Sequence, residues 1–367
     1  MKYLTILFAL SFLLTAIDET YAQPLSVSVE QPANGNRLFA TPQGKFSVSG
    51  TTVRFGEREI SDQSVWSLSA ASNRFTYLDP TGGEVKVNQF SNSGYHLYSE
   101  TLPFFNPDDS TLKLYTFTDG RTVIRDNVAN FSFLNPAGQQ LFSISNSSGS
   151  QSGERPSELA ADPAGVTIVL YNPAISFGET TGSRAVLVYG ENDTKLLFSS
   201  ENQEITDLQV TPDGKYILLV AQDGSSSEIY FSDRFGNILF TLPSDHLVQG
   251  AEISEWGEYL TIYTTGMIQV YDVLTGERLG SASLNQNIIY AAYDPEKNIM
   301  ISFGGVLDGY QISGSSVMVV DIDQRSIATE KISASLHTLD PQSLKLNRSA
   351  SGNFTLKGLN EEVTIRY

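Results

Sequence analysis

Cysteine, histidine and closely set carboxylates are the side chains best suited to chemistry near neutral pH, and the chain is poor in the first two. It has no cysteine and three histidines in 367 residues. Without a thiolate there is no cysteine nucleophile, no disulfide and no soft-metal site. His246 and His337 each precede the first apolar strand of a repeated unit, which predicts one common face in different units, where Asp245 or Asp340 would be the oxygen ligands to join them. Those units are not consecutive and no third histidine shares the register, so no metal is expected. His96, in "GYHLYSE", reads as a strand residue.

Hydroxyl and phosphate chemistry find no better footing. No Gly-x-Ser-x-Gly elbow occurs between a strand and a helix, and "SGSQSG" from Ser148 reads as a flexible connection. Ser313-Gly314-Ser315 sits between strands and does not open a phosphate-binding helix. Asp321-Ile322-Asp323 lacks the Gly and the closing Glu of a calcium loop and reads as a polar hairpin. No catalytic residue, metal or cofactor is therefore expected, although sequence does not show which of the many carboxylates approach one another.

Charge narrows the partners. Lys and Arg total 23 against 41 Asp and Glu, a net charge of −18, which repels nucleic-acid phosphates and anionic lipid. The expected partner is a protein or a surface polymer, and the residues best suited to anchor one are Arg121 and Arg125 in "TDGRTVIRDN", Phe177 in "NPAISFGETT" and Tyr310 in "GGVLDGYQIS", with His246 and His337 beside them. The plainer alternative pairs Arg121 with Asp119 and Arg125 with Asp126, and packs the two aromatics against the scaffold.

The elements that would carry these residues are strands. The first 22 residues have Lys2, an apolar run from Leu4 to Ile17 and a Thr20-Tyr21-Ala22 end, the pattern of an export leader cleaved before Gln23. An exported chain in the periplasm or outside the cell follows, with no membrane insertion of the mature part. Beyond it, short runs of Tyr, Phe, Ile, Val and Leu alternate with Gly, Asp, Asn, Ser or Pro turns, which is an all-β signature.

The runs repeat. "ITDLQVTPDGKYILLVA" from Ile205, "VQGAEISEWGEYLTIYT" from Val248 and "NIIYAAYDPEKNIMISF" from Asn287 share one grammar: strand, polar turn, more apolar strand. Each continues into a third strand and a second turn, giving four-stranded units of about 40 to 50 residues. More divergent copies begin near Val65, Leu102 and Pro156, and "LKLNRSASGNFTLKGLNEEVTIRY" supplies only three strands. An unpaired edge there would be a liability, and "LSVSV" from Leu25 is the natural strand to cover it. Seven repeats are favoured, with "LFATPQGKFSVSGTTVRFGERE" from Leu38 as either an eighth, compact unit or extra closing strands.

"TPDGKYILLV" at Thr211 and "VYDVLTGERLG" at Val270 resemble the blade signatures of the broad WD40, YVTN and quinoprotein-like group of β-propellers. The resemblance implies one domain over 23–367, a ring of four-stranded antiparallel blades with a binding or scaffolding role. The Trp that ends the quinone-dependent blade motif is missing after Gly276-Glu277-Arg278-Leu279-Gly280, so no quinone is expected.

In such blades the strand one-to-two and three-to-four turns share a face. Pro212-Asp213-Gly214, Glu255-Trp256-Gly257, Arg234-Phe235-Gly236 and Leu274-Thr275-Gly276 are all short, and Trp256 is expected to cap its blade. The opposite face should carry the long segments Thr118 to Asn127, Asn172 to Ser183, Gly304 to Ser315, Pro243 to Gly250 and Ser333 to Pro341, and with them the binding site. The favoured function is a non-catalytic binding module using that long-loop face. The alternative is a hydrolase or lyase acting on a carbohydrate or lactone at the central channel, which requires two carboxylates, or a carboxylate and a histidine, at one cavity.

Overall fold

The computed structural model describes residues 25–367 apart from 31–36, 42–43, 50–51, 56–57, 62–64, 70–72, 80–83, 92, 103–110, 127–128, 147–154, 178–179, 191–192, 310 and 339–343. The candidate export leader, Tyr310 and Asp340 lie outside the described residues.

Alternating strands and Gly-centred turns fold as successive antiparallel meanders. Eight sheets result, seven of them built from consecutive strands. In chain order they are sheet one (37–61), two (66–102), three (113–145), four (158–200), five (204–244), six (250–283), seven (288–331) and eight (345–366). Sheet eight has only three strands of its own, and its fourth is Ser26–Glu30, which pairs antiparallel with Glu362–Arg366 in the register Ser28 to Thr364. The N-terminal strand therefore closes the ring, as the bare final edge predicted. The segment from Leu38, left open between an eighth blade and closing strands, forms a four-stranded sheet of its own.

Five of the one-to-two turns share a construction. Gly120, Gly165, Gly214, Gly257 and Gly352 each donate their amide to the carbonyl three residues earlier, at 2.8 to 3.1 Å, with φ between 63° and 94°. At Gly257 space as well as φ excludes a side chain, because a Cβ would lie 2.3 Å from the Tyr216 ring of the preceding blade.

The core lies between blades. Each apolar cluster is shared by two consecutive sheets, for example Phe131 and Phe133 with Ile168 and Leu170, or Leu218 and Phe231 with Ile253 and Leu260. Large side chains such as Phe131, Phe231 and Phe303 are at most 1% exposed there. Outer strands alternate instead, as in Ser326–Lys331, so each blade turns its fourth strand to solvent.

Two of the long segments differ from expectation. Asn172 to Ser183 and Gly304 to Ser315 were expected as irregular loops, yet they continue the antiparallel ladders of Ile168–Phe177 with Thr180–Tyr189 and of Ile299–Asp308 with Gln311–Asp321. Bulges at Asn172/Ile175 and Gly304/Val306 mark where each hairpin leaves its blade. Thr118 to Asn127 is no long loop either, because Thr118, Asp119 and Gly120 form a one-to-two turn and Thr122–Asp126 is a buried second strand.

Candidate functional site

The first strand of each blade lies innermost, so these strands together build the wall of a central channel. Strands from sheets three to eight line a cavity of about 1590 Å³. Small and apolar side chains such as Ala160, Ala251 and Ala292 share the wall with polar and charged ones.

Asp207 stands in "ITDLQV" and Glu252 in "GAEIS", one acid inside each of two neighbouring inner strands. Both sit deep in the molecule while keeping surface that faces the cavity. The Asp207 Oδ2 accepts from Gln209 Nε2 at 2.9 Å and from the Ala251 amide at 3.4 Å. Gln209 Nε2 also reaches the Ala251 carbonyl at 2.6 Å, tying sheet five to sheet six. Burial pushes the Asp207 carboxyl above its ordinary range, against the pull of Gln209, Lys345 and the Ala251 and Leu208 amides.

Glu252 is answered from across the channel. Lys345 Nζ, on sheet eight, lies 2.6 Å from Glu252 Oε2 on sheet six, past the intervening sheet seven. Burial still raises the Glu252 carboxyl, with the Asp207 charge adding to it and Lys345 opposing. Behind the pair, the Tyr290 hydroxyl accepts from the Leu346 amide at 3.1 Å, and burial drives that phenol well above its usual value. Tyr263 is raised as well, by burial first and then by Asp207 and Glu252.

Nearer the short-turn face the wall becomes aromatic and acidic. Trp256 is 60% exposed at the rim, so it does not cap its blade as expected. Tyr259 meets Tyr293 edge-on with centroids 5.1 Å apart. Glu255 and Glu258 flank Trp256 and are exposed.

The residues singled out from sequence are dispersed. Arg121 lies on the short-turn face, bound to Asp119 at 2.6 Å and to the carbonyls of Ala164 and Gly165 in the next blade's turn. Arg125 is 5% exposed. Its partner is Glu158 of sheet four at 3.1 Å, with the Ser157 and Thr111 carbonyls completing its shell, so it clamps two blades together. Glu158 also takes Lys113 at 2.6 Å and the Tyr115 hydroxyl at 2.8 Å, and burial together with that carboxylate raises the Tyr115 phenol. Phe177 ends its hairpin strand opposite Thr180. His246 is exposed in the connection from sheet five to sheet six. His337 belongs to a short strand, Leu336–His337, that pairs with Gln311 and Ile312 of the projecting hairpin, and its Nδ1 lies 2.8 Å from the buried Glu361.

Sequence reasoning missed Asp207, Glu252 and Lys345. A signal existed for Glu252, since a lone acid within the otherwise apolar strand Gly250–Ile253 costs free energy unless its surroundings use it. Among the described residues no group of three or more His, Asp or Glu side chains is placed to hold a metal.

The chain matches no protein-family model and no curated protein sequence. Among solved structures it is similar to the Dos1 propeller, with TM-score 0.54 and 14% identity, covering 93% of this chain and 94% of that one. It is similar also to a eukaryotic initiation factor, with TM-score 0.52 and 11% identity over 90% and 87% of the two chains. BamB from Moraxella catarrhalis gives TM-score 0.51 and 13% identity over 94% and 100%. At such identities the shared property is the fold, and it defines the class: an all-β propeller of four-stranded blades.

Proposed function

We propose that this chain is an exported, non-catalytic propeller, of the secreted WD40- and YVTN-like kind, that serves as a protein-binding scaffold. The observation that carries this reading is the pair of hairpins projecting from the face opposite the short turns, at 168–189 and 299–321. Projections on a rigid ring give a partner shape to recognise without any need for a reactive group. The second hairpin shows Val306 and Leu307, 60% and 39% exposed, beside a turn end that the Leu336–His337 strand clamps, and Leu247 on the same face is 39% exposed. Exposed apolar side chains on ordered backbone are suited to interfaces, since little ordering entropy remains to be lost.

The experiment is crosslinking capture from the exporting cell with the mature chain and its Val306→Ser/Leu307→Ser variant. The reading expects a defined protein that the wild type captures and the variant loses, with the melting temperature unchanged. The same captured set from both chains would contradict it.

A further inference from the structure

The channel wall carries features that the projecting hairpins do not explain. Among the inner-strand pairings of sheets two to eight, those in sheets five and seven are interrupted by bulges, at Ile205/Asp207 and at Ile288/Tyr290. A bulge re-aims the side chains next to it at a cost in ladder hydrogen bonds. Here the two bulges stand next to Asp207 and Tyr290, both of which line the cavity.

Charge in the channel is unevenly answered. Glu158 has Lys113 and Arg125, Glu252 has Lys345, and Asp294 and Glu296 share Arg348. Asp207, Glu255 and Glu258 have no salt bridge among the described residues, and all three lie along the sheet five and six side of the same cavity. An anion entering would meet Asp207, whose charge Lys345 offsets only in part, and the exposed Glu255 and Glu258, whereas a cation would meet them beside Trp256 and Tyr259. The volume, about 1590 Å³, exceeds the roughly 300–1,000 Å³ of small-molecule pockets and suits a stretch of polypeptide.

We propose that the channel receives a basic segment of a protein partner through its short-turn mouth, with a lysine ammonium or arginine guanidinium seated against Asp207 and the adjoining chain lying over Trp256 and Tyr259. Gln209 and the Ala251 amide hold the Asp207 Oδ2, which fixes the carboxylate in place for that cation. Lys345 completes the specificity from the other side, neutralising Glu252 so that the seat lies at Asp207. This reading stands on the channel and not on the hairpins, so it does not depend on the surface proposed above.

The test is a fluorescence-anisotropy titration of the mature chain with fluorescein-labelled octalysine at physiological salt, where long-range attraction to a strongly acidic surface is largely screened. Saturable binding is expected, with octaglutamate inert. Asp207→Asn should weaken it by about tenfold, the scale of losing one desolvated charge contact. Trp256→Ala should weaken it too, while a Glu277→Gln/Glu330→Gln control on the outer surface stays within about twofold. Retention of affinity in Asp207→Asn, an equal loss in the outer control, or equal binding of an uncharged oligosaccharide would overturn the proposal. The Val306→Ser/Leu307→Ser chain should titrate like wild type, which separates this outcome from the fate of the hairpin surface.

Discussion

Asp207 carries the sharpest consequence among single side chains. Its carboxyl is raised above the ordinary 3.8 by burial, so over the interval between that value and its folded value the native state holds more protons than the unfolded chain. Stability must then fall as pH rises through that interval, and at neutral pH the ionised group is a burden on the fold. Asparagine keeps an acceptor for Gln209 and the Ala251 amide while removing the charge. Asp207→Asn should therefore melt higher than wild type at pH 7, with the gain shrinking toward pH 4 as the wild-type carboxyl protonates. Calorimetry at the two pH values checks it, and a lower melting temperature at pH 7 would contradict the sign. A residue that costs stability yet is held in place by its neighbours is characteristic of a site shaped for a ligand. The acid itself was plain in "ITDLQV", but its meaning was not, because only the folded ring brings Asp207, Glu252 and Lys345 of three separate repeats to one cavity. Arg125 misled for a related reason. Its neighbour Asp126 made a local pair the obvious sequence reading, whereas the partner is Glu158, 33 residues away in the next blade.

Strands and turns were far more legible than side-chain partners. The short one-to-two and three-to-four turns are set by local chemistry: those of sheets five and six occur where Gly214, Gly236, Gly257 and Gly276 predicted, each at positive φ, while in sheet seven Asn298 and Arg325 take that conformation. The hairpin extensions were not legible as strands. Gly304, Gly305, Gly309 and Gly314 punctuate the second one like a loop, and its ladder is held by the short Leu336–His337 strand arriving from elsewhere in the chain. Thr122–Asp126 was hidden similarly, because Thr122 and Arg125 within it are satisfied by blade-to-blade contacts that spacing does not reveal. The turn end of the second hairpin rests on Leu336, which pairs with Ile312 and is fully buried in the core shared by sheets seven and eight. Leu336→Ala should cost about 3 kcal/mol, the scale for a buried Leu truncation. Hydrogen exchange should in addition speed up at 305–313 before the blade strands are affected. Uniform exchange across sheet seven would mean that the hairpin draws no support from this strand.

The whole molecule depends on closure. Six apolar clusters join consecutive blades from sheet two round to sheet eight, and the last sheet is finished by a strand from the opposite end of the chain. The missing fourth strand of the final repeat and the spare "LSVSV" made this readable from sequence. The count of units turned on 37–61, whose compact repeat is the least like the others. With the ring closed, the short turns share one face, the projecting hairpins share the other, and the inner strands enclose the channel. The chain has no native cysteine, so a Ser28→Cys/Thr364→Cys variant carries the only two thiols, at positions that are direct partners in the antiparallel pair. Direct partners in such pairs have Cα atoms roughly 4.5–5.5 Å apart, within reach of a disulfide. Mild oxidation of the folded variant should crosslink the pair nearly completely within one chain and raise the unfolding midpoint. Two thiols that remain open to alkylation, or that link only between molecules, would contradict a closed ring and with it both proposed surfaces.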